Sequence, residues 1–133
     1  MELVLDNNSL FSIINPNSTS AYLFSSIRVK FIDSEINKYK DICFSKANIS
    51  EHEFEVIYSE IKKSIKFFKI SEYEKFLKIA QSSISDINDI DFLALALYKN
   101  ASIWSNDPHL KEQSLIPVFT TKELLKMFLN NDI

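Results

Sequence analysis

The spacing of apolar positions changes along the chain, and each change predicts an element. Leu3, Val4 and Leu5 form a run without polar alternation, closed by Asp6, Asn7 and Asn8. Such a run predicts a strand buried on both faces, as inside a parallel sheet. Leu10, Phe11, Ile13 and Ile14 predict a short helix stopped by Pro16 and Asn17, and residues 19–24 start another. Residues 28–31 read as a second strand. From Ile32 through Ile36, Tyr39 and Cys43 the apolar positions recur every three or four residues, which predicts one face of a helix of about three turns. Ser50 with Glu53 is a capping-box pair ahead of a second amphipathic helix bearing Phe54, Ile57, Tyr58 and Ile61. Residues 65–70 predict a third strand. Ser71 with Glu74 repeats the capping signature before a helix running to Ser83. Residues 92–97 are apolar nearly all round and good helix formers, so they predict a helix buried between layers. Strands at 101–104 and 117–120 and a closing helix at 121–129 complete the pattern. Strands alternating with helices argue an α/β fold: a three-layer domain with a mainly parallel central sheet of about five strands flanked by helices.

Composition narrows the function. The 133 residues are 46% hydrophobic, which suits one domain over residues 1–133. Fifteen Lys and Arg against eighteen Asp and Glu give a net charge of −3, so no broad basic field advertises duplex DNA binding. The absence of glycine excludes a phosphate-binding P-loop, a dinucleotide fingerprint and a nucleophile elbow. It also leaves asparagine to end helices, with Asn17, Asn48 and Asn100 as the candidates. A single cysteine, Cys43, forms no internal disulfide and reads as core. With no basic leader and no apolar run near the ~20 residues of a bilayer span, the expectation is a cytoplasmic protein with no membrane partner.

In a parallel sheet ligands gather outside the carboxyl ends of the strands, so the residues just after each strand are the ones to weigh. Asp6 follows the first strand, Glu35 the second, Asp89 opens the buried helix and Asp107 follows the fourth strand. Each has a plain alternative: Asp6 and Asp107 as helix caps, Asp89 as a first-turn acid behind Asp86, and Glu35 as a solvated side chain. His109 and His52 have no paired base or nucleophile, and lysines such as Lys62, Lys66 and Lys69 fit solvated faces as well as a phosphate-tracking rim.

The order of these motifs resembles the PIN domain family of metal-dependent nucleases, which includes the VapC-type toxins. The resemblance rests on LVLDNNSLF (residues 3–11), on FIDSEINKYKDICFSKANISEHEFEVI (residues 31–57) and above all on DINDIDFLALALYKNASIWSNDPHL (residues 86–110). It implies four acids, Asp6, Glu35, Asp89 and Asp107, as catalytic and metal-binding residues, with Asn8 and Ser105 holding them in place. Asp91 is the first replacement for Asp89. Asn7 stands where a Thr is common in the family, and His109 where many members have another Asp.

Clustered carboxylates raise one another's pKa unless a cation lies among them, and all-oxygen donors favour Mg²⁺ or Mn²⁺. Together with the resemblance, which implies the rest, the expectation is a metal-dependent endoribonuclease acting on RNA, the toxin of a toxin–antitoxin pair, with an antitoxin partner and a homodimeric state. The resemblance further implies products with 5′-phosphate and 3′-hydroxyl ends. The alternatives are a PIN-fold module that binds RNA or protein without cutting and a housekeeping RNA-processing nuclease.

Overall fold

The computed structural model of the chain describes residues 1–35 and 49–133. The chain runs β1 (Glu2–Leu5), α1 (Asn7–Ile14), α2 (Thr19–Ser26), β2 (Lys30–Ser34), α3 (Glu51–Lys62), β3 (Ile65–Phe68), α4 (Ile70–Tyr73), α5 (Leu77–Ser83), α6 (Ile90–Lys99), β4 (Ser102–Trp104), β5 (Val118–Phe119) and α7 (Thr121–Leu129). Short 3-10 segments lie at Glu74–Phe76, Ile87–Asp89 and Pro108–Glu112.

The five strands form one sheet in the order β3-β2-β1-β4-β5, every neighbouring pair parallel. β1 is central, as its unalternated apolar run requires. Leu3 and Leu5 face a core shared with α1, α2, α3 and α7, where Leu10, Leu23, Phe54, Trp104 and Leu124 are buried. Val4 faces the opposite core with Ile32, Ile103 and five consecutive residues of α6, Phe92 to Ala96. Burying one Leu, Ile or Phe side chain is worth about 1.5–3 kcal/mol, so these two sheets of contact are the main stabilising mass of the fold. α6 is apolar nearly all round because it lies between the sheet and α5.

Several sequence boundaries move. β2 starts and ends later than expected and takes in Ile32, which the helical spacing had assigned to a helix. Pairing decides this: Phe31 lies beside Leu3 and Ile32 beside Val4, so two adjacent apolar residues serve the two cores. The remainder of that expected helix, Ile36, Tyr39 and Cys43, lies outside the described residues, as does Asn48. β3 stops at Phe68, and the following helix is capped two residues earlier than Ser71: the Lys69 N–H donates to the Glu72 carboxylate at 2.9 Å. Among the described residues positive φ occurs at Asn100 (51°) and Asn131 (61°). Asn100 ends α6 as expected, whereas Asn17 is not needed in that conformation. Asparagine tolerates the left-handed region best after glycine.

Candidate functional site at the carboxyl ends of the strands

Sheet order reverses at β1, with β2 and β3 on one side and β4 and β5 on the other. The carboxyl ends of β1 and β4 flank this switch point, where an open parallel sheet leaves a crevice. Asp6 leaves β1 there and Ser105 to Asp107 leave β4.

Asp6 is buried and caps α1, one carboxylate oxygen accepting the Ser9 N–H at 2.8 Å. Its other oxygen accepts the Ser105 hydroxyl, and the same Ser105 oxygen accepts the Asp107 N–H at 3.0 Å. One fully buried hydroxyl thus joins the ends of β1 and β4. Ser9 adds a second tie by donating its hydroxyl to the Trp104 carbonyl at 2.8 Å. Burial raises the Asp6 pKa above the ordinary carboxylate value, the Ser105 and Ser9 hydrogen bonds oppose the rise, and Asp107 adds to it.

Asp107 caps the turn that begins at Pro108, accepting the His109 N–H at 2.9 Å. Asp86 caps the turn before α6 in the same manner, accepting the Asn88 N–H at 2.9 Å. The capping and site readings of these acids are therefore compatible, since a carboxylate has two oxygens. Asp89 is buried at the amino end of α6, and its Oδ2 has no hydrogen-bond partner. Burial pushes its pKa up to about 7, followed by repulsion from Asp86, Asp107 and Asp6, with His109 opposing weakly.

One carboxylate oxygen from each of Asp86, Asp89 and Asp107 lies within 4.8 Å of the others, a spacing that suits oxygen coordination of one hard divalent cation. An orphaned buried carboxylate oxygen and a strongly raised pKa in the same group both fit a missing positive charge. Asp86, which the sequence reading left out of the four acids, joins this group. Its position three residues before Asp89 was the available signal, because a 3-10 turn brings i and i+3 together.

The remaining candidates are placed differently. Glu35 is exposed in the turn after β2, its N–H bonded to the Phe68 carbonyl at 2.9 Å, and it is not part of the three-acid group. Asn8 is exposed on α1, and the structure brings Ser9, not Asn8, into contact with Asp6. Asp91 accepts from the Tyr73 hydroxyl at 2.8 Å, and that hydroxyl also lies 2.6 Å from the Ser34 hydroxyl. This network ties the start of α6 to the end of β2. Tyr73 is fully buried and its pKa is raised, mainly by burial. His109 is exposed and pairs with Glu112 at 3.1 Å, which raises its pKa.

Comparison with known proteins adds to this geometry. The family model of the PIN domain matches residues 4–126. Among solved structures, the chain is similar in fold to VapBC2 from Rickettsia felis, determined bound to a DNA fragment from its promoter. The TM-score is 0.67 at 14% identity, over 90% of this chain and 98% of that one. No curated protein gives a significant match.

Proposed function

This chain belongs to the PIN domain family, and on that premise we propose that it is a divalent-metal-dependent endoribonuclease, the toxin of a toxin–antitoxin pair. The observation that carries the reading is the group of Asp86, Asp89 and Asp107 with the unpartnered Oδ2 of Asp89 at its buried side. Asp86 and Asp107 each have one oxygen bonded to a backbone N–H and Asp89 Oδ2 has no partner, so ionising all three concentrates negative charge that a cation among them would offset.

Asp89 and Asp107 are assigned to hold the ion, with Asp86 beside them and Asp6 at the margin. When bound, a hard divalent ion there polarises a phosphodiester and lowers the pKa of water. The chain's own groups do the rest. Ser105 fixes Asp6 relative to the Asp107 backbone, so the ends of β1 and β4 keep one geometry. Asp89, protonated over much of the range below neutrality, must release its proton to accept a cation, which makes affinity rise with pH. Glu35, at the carboxyl end of β2, is assigned to orient the attacking water. The resemblance of the motifs to the family supports Mg²⁺ or Mn²⁺ as the ion and RNA as the substrate.

Two partner assignments belong to the same reading. A groove of about 540 Å³ between α1, α2 and α3 is lined by Ile13, Tyr22, Phe24, Val56, Ile57 and Ile61, with Tyr22 and Val56 more than half exposed. An apolar surface of this kind supports an antitoxin or a second copy of the chain as its cover. The likeness to VapBC2 supports the antitoxin. No helix among the described residues is long and apolar enough to cross a membrane, and the cytoplasm remains the proposed location.

The test is cleavage of single-stranded and structured RNA with Mg²⁺ or Mn²⁺, with EDTA, and with Asp89→Asn in parallel. Metal-dependent cleavage lost in the variant is expected. Cleavage that survives EDTA and the variant alike would indicate a contaminating ribonuclease, and binding without cleavage would leave the chain a non-cutting module.

A further inference from the structure

The other end of α6 carries the opposite charge. Lys99, in its last turn, places its ammonium 5.4 Å from the centre of the Phe68 ring, and Lys66 of the edge strand β3 places its own 5.1 Å from the same ring. The two ammonium groups are therefore no more than about 10.5 Å apart. Lys99 also lines a recess of about 500 Å³ with Arg28 and Lys30, the residues leading into β2. Register puts these groups together: Lys66 pairs with Ile32, and Lys30 lies two residues before Ile32, so both lysines point to the α6 side of the sheet. Arg28 is the chain's single arginine.

None of the four cations forms an ion pair with a described residue. Glu2 also lines the recess, leaving a clear positive excess. Beside them stands an aromatic shelf. Tyr98 is 41% exposed and packs edge-on against Phe68, ring centres 6.2 Å apart, with Phe76 at the same distance on another side. A tyrosine held by two phenylalanines yet open to solvent is a stacking platform; Lys66 and Lys99 flank the Phe68 ring it packs on, and Lys99 continues the positive charge into the recess with Arg28 and Lys30, a track for a charged backbone. This pairing of stacking surface with cations is what sequence-tolerant recognition of single-stranded nucleic acid uses. An edge lysine by itself also guards against strand pairing. That role accounts for Lys66 and explains neither Lys99 and Arg28 in one recess nor the exposed ring.

We propose that the corner formed by Tyr98, Lys99, Lys66, Lys30 and Arg28 is a second contact for single-stranded RNA, in which Tyr98 stacks on a base and the cations hold phosphates. α6 rises roughly 15 Å over its ten residues, so a strand leaving the acid crevice would pass a few nucleotides before reaching this corner. The inference takes RNA as the polymer from the proposed function and concerns a different surface.

The experiment is fluorescence anisotropy of a labelled single-stranded RNA with the wild-type protein in EDTA, where no metal-dependent cleavage occurs, repeated at several salt concentrations. Lys66→Ala with Lys99→Ala should weaken binding at low salt at least about tenfold and reduce the slope of log affinity against log salt by about 1.4, two single-strand phosphate contacts. Tyr98→Ala should weaken binding by about 5- to 150-fold with the slope unchanged, while Tyr98→Phe keeps the stacking face and binds as wild type. These side chains are exposed or half-exposed, and matching thermal melts certify the fold. In cleavage with Mn²⁺, the same variants should raise KM for a long RNA and leave kcat alone. Unchanged affinity and slope in the variants would overturn the proposal, as would tighter binding of polyglutamate than of RNA at this corner. RNA held here but never cleaved would overturn the nuclease reading instead, and normal cleavage with no variant effect on KM or binding would overturn this one only.

Discussion

At the amino end of α6 the charged groups are tied to the backbone: Asp6, which is buried, and the half-buried Asp86 and Asp107 each accept a backbone N–H on one oxygen, and Asp89 is buried with an oxygen left over. At its carboxyl end Arg28, Lys30 and Lys66 are exposed, Lys99 is half-buried, and none has a carboxylate partner among the described residues. The first arrangement fixes where charge sits and raises the Asp6 and Asp89 pKa values; the second leaves its cations without carboxylate partners, with Lys66 and Lys99 resting over the Phe68 ring. A group that must hold a small ion needs geometry to within tenths of an ångström, whereas a contact to a flexible polyanion needs only density of charge. One helix joins the two ends, with its positive dipole end toward the acids and its negative end toward Lys99.

The comparison breaks most visibly if the acids are neutralised. Asp89→Asn or Asp107→Asn should lower metal-dependent RNA cleavage at least about 100-fold, because each removes a carboxylate that the proposed function assigns to the ion. RNA binding in EDTA should persist in both. Cleavage kinetics within tenfold of wild type would remove either residue from the site.

Leu95→Ala attacks the strut between the two ends. Leu95 is fully buried in α6, so the change should cost about 2–5 kcal/mol of stability by denaturant unfolding, with loss of both RNA cleavage and corner binding near the shifted midpoint. Loss of one function alone under those conditions would show that the two ends do not share a scaffold.

Ser105→Ala should come next. Removing the hydroxyl between Asp6 and the Asp107 N–H should weaken Mn²⁺ binding, measured by calorimetry, by about 10- to 100-fold and destabilise the protein by about 1–3 kcal/mol. Metal affinity equal to wild type would mean the bridge does not set the geometry of the acids.

A pH series sharpens the contrast. The Asp89 pKa is raised from 3.8 to about 7 on folding, so the folded state binds the proton more tightly than the unfolded chain. The stability this gives is fully present below about pH 4 and is lost as pH rises through about 7. In EDTA the wild-type melting temperature should fall between pH 5.5 and pH 8, Asp89→Asn should flatten that fall, and Mn²⁺ should restore more stability at pH 8 than at pH 5.5. A wild-type profile as flat as that of the variant would show that Asp89 is ionised throughout. The smallest effect belongs to the basic end: Lys66→Ala should change stability by no more than about 1 kcal/mol, since Lys66 has no ion-pair partner among the described residues and its contact with the Phe68 ring is made by an exposed side chain.

Local sequence was informative where it carried its own physics. The apolar run Leu3, Val4 and Leu5 required a strand with both faces covered, and residues 92–97 required a helix between layers; β1 is central and α6 lies in the second core. Ser50 does cap α3, accepting the Glu53 N–H at 3.1 Å. Boundaries failed where pairing overrode spacing, as at Ile32. The acids Asp6, Asp89 and Asp107 could be singled out because each follows or precedes an element end, which is written in the sequence. Their roles as caps or as a cluster looked exclusive only because the direction of each second oxygen is not.

What the sequence alone determined, then, is the alternation of strands and helices, the burial of β1 and α6 and the choice of acids at element ends, all consequences of hydrophobic period and capping chemistry acting over a few residues. The tertiary structure decided that Asp86 joins Asp89 and Asp107, that Ser9 rather than Asn8 meets Asp6, and that Lys66 meets Lys99 over one ring. These are contacts between chain segments set by parallel register and sheet order. A one-residue change of register would turn Lys66 to the other face without altering a letter of the sequence.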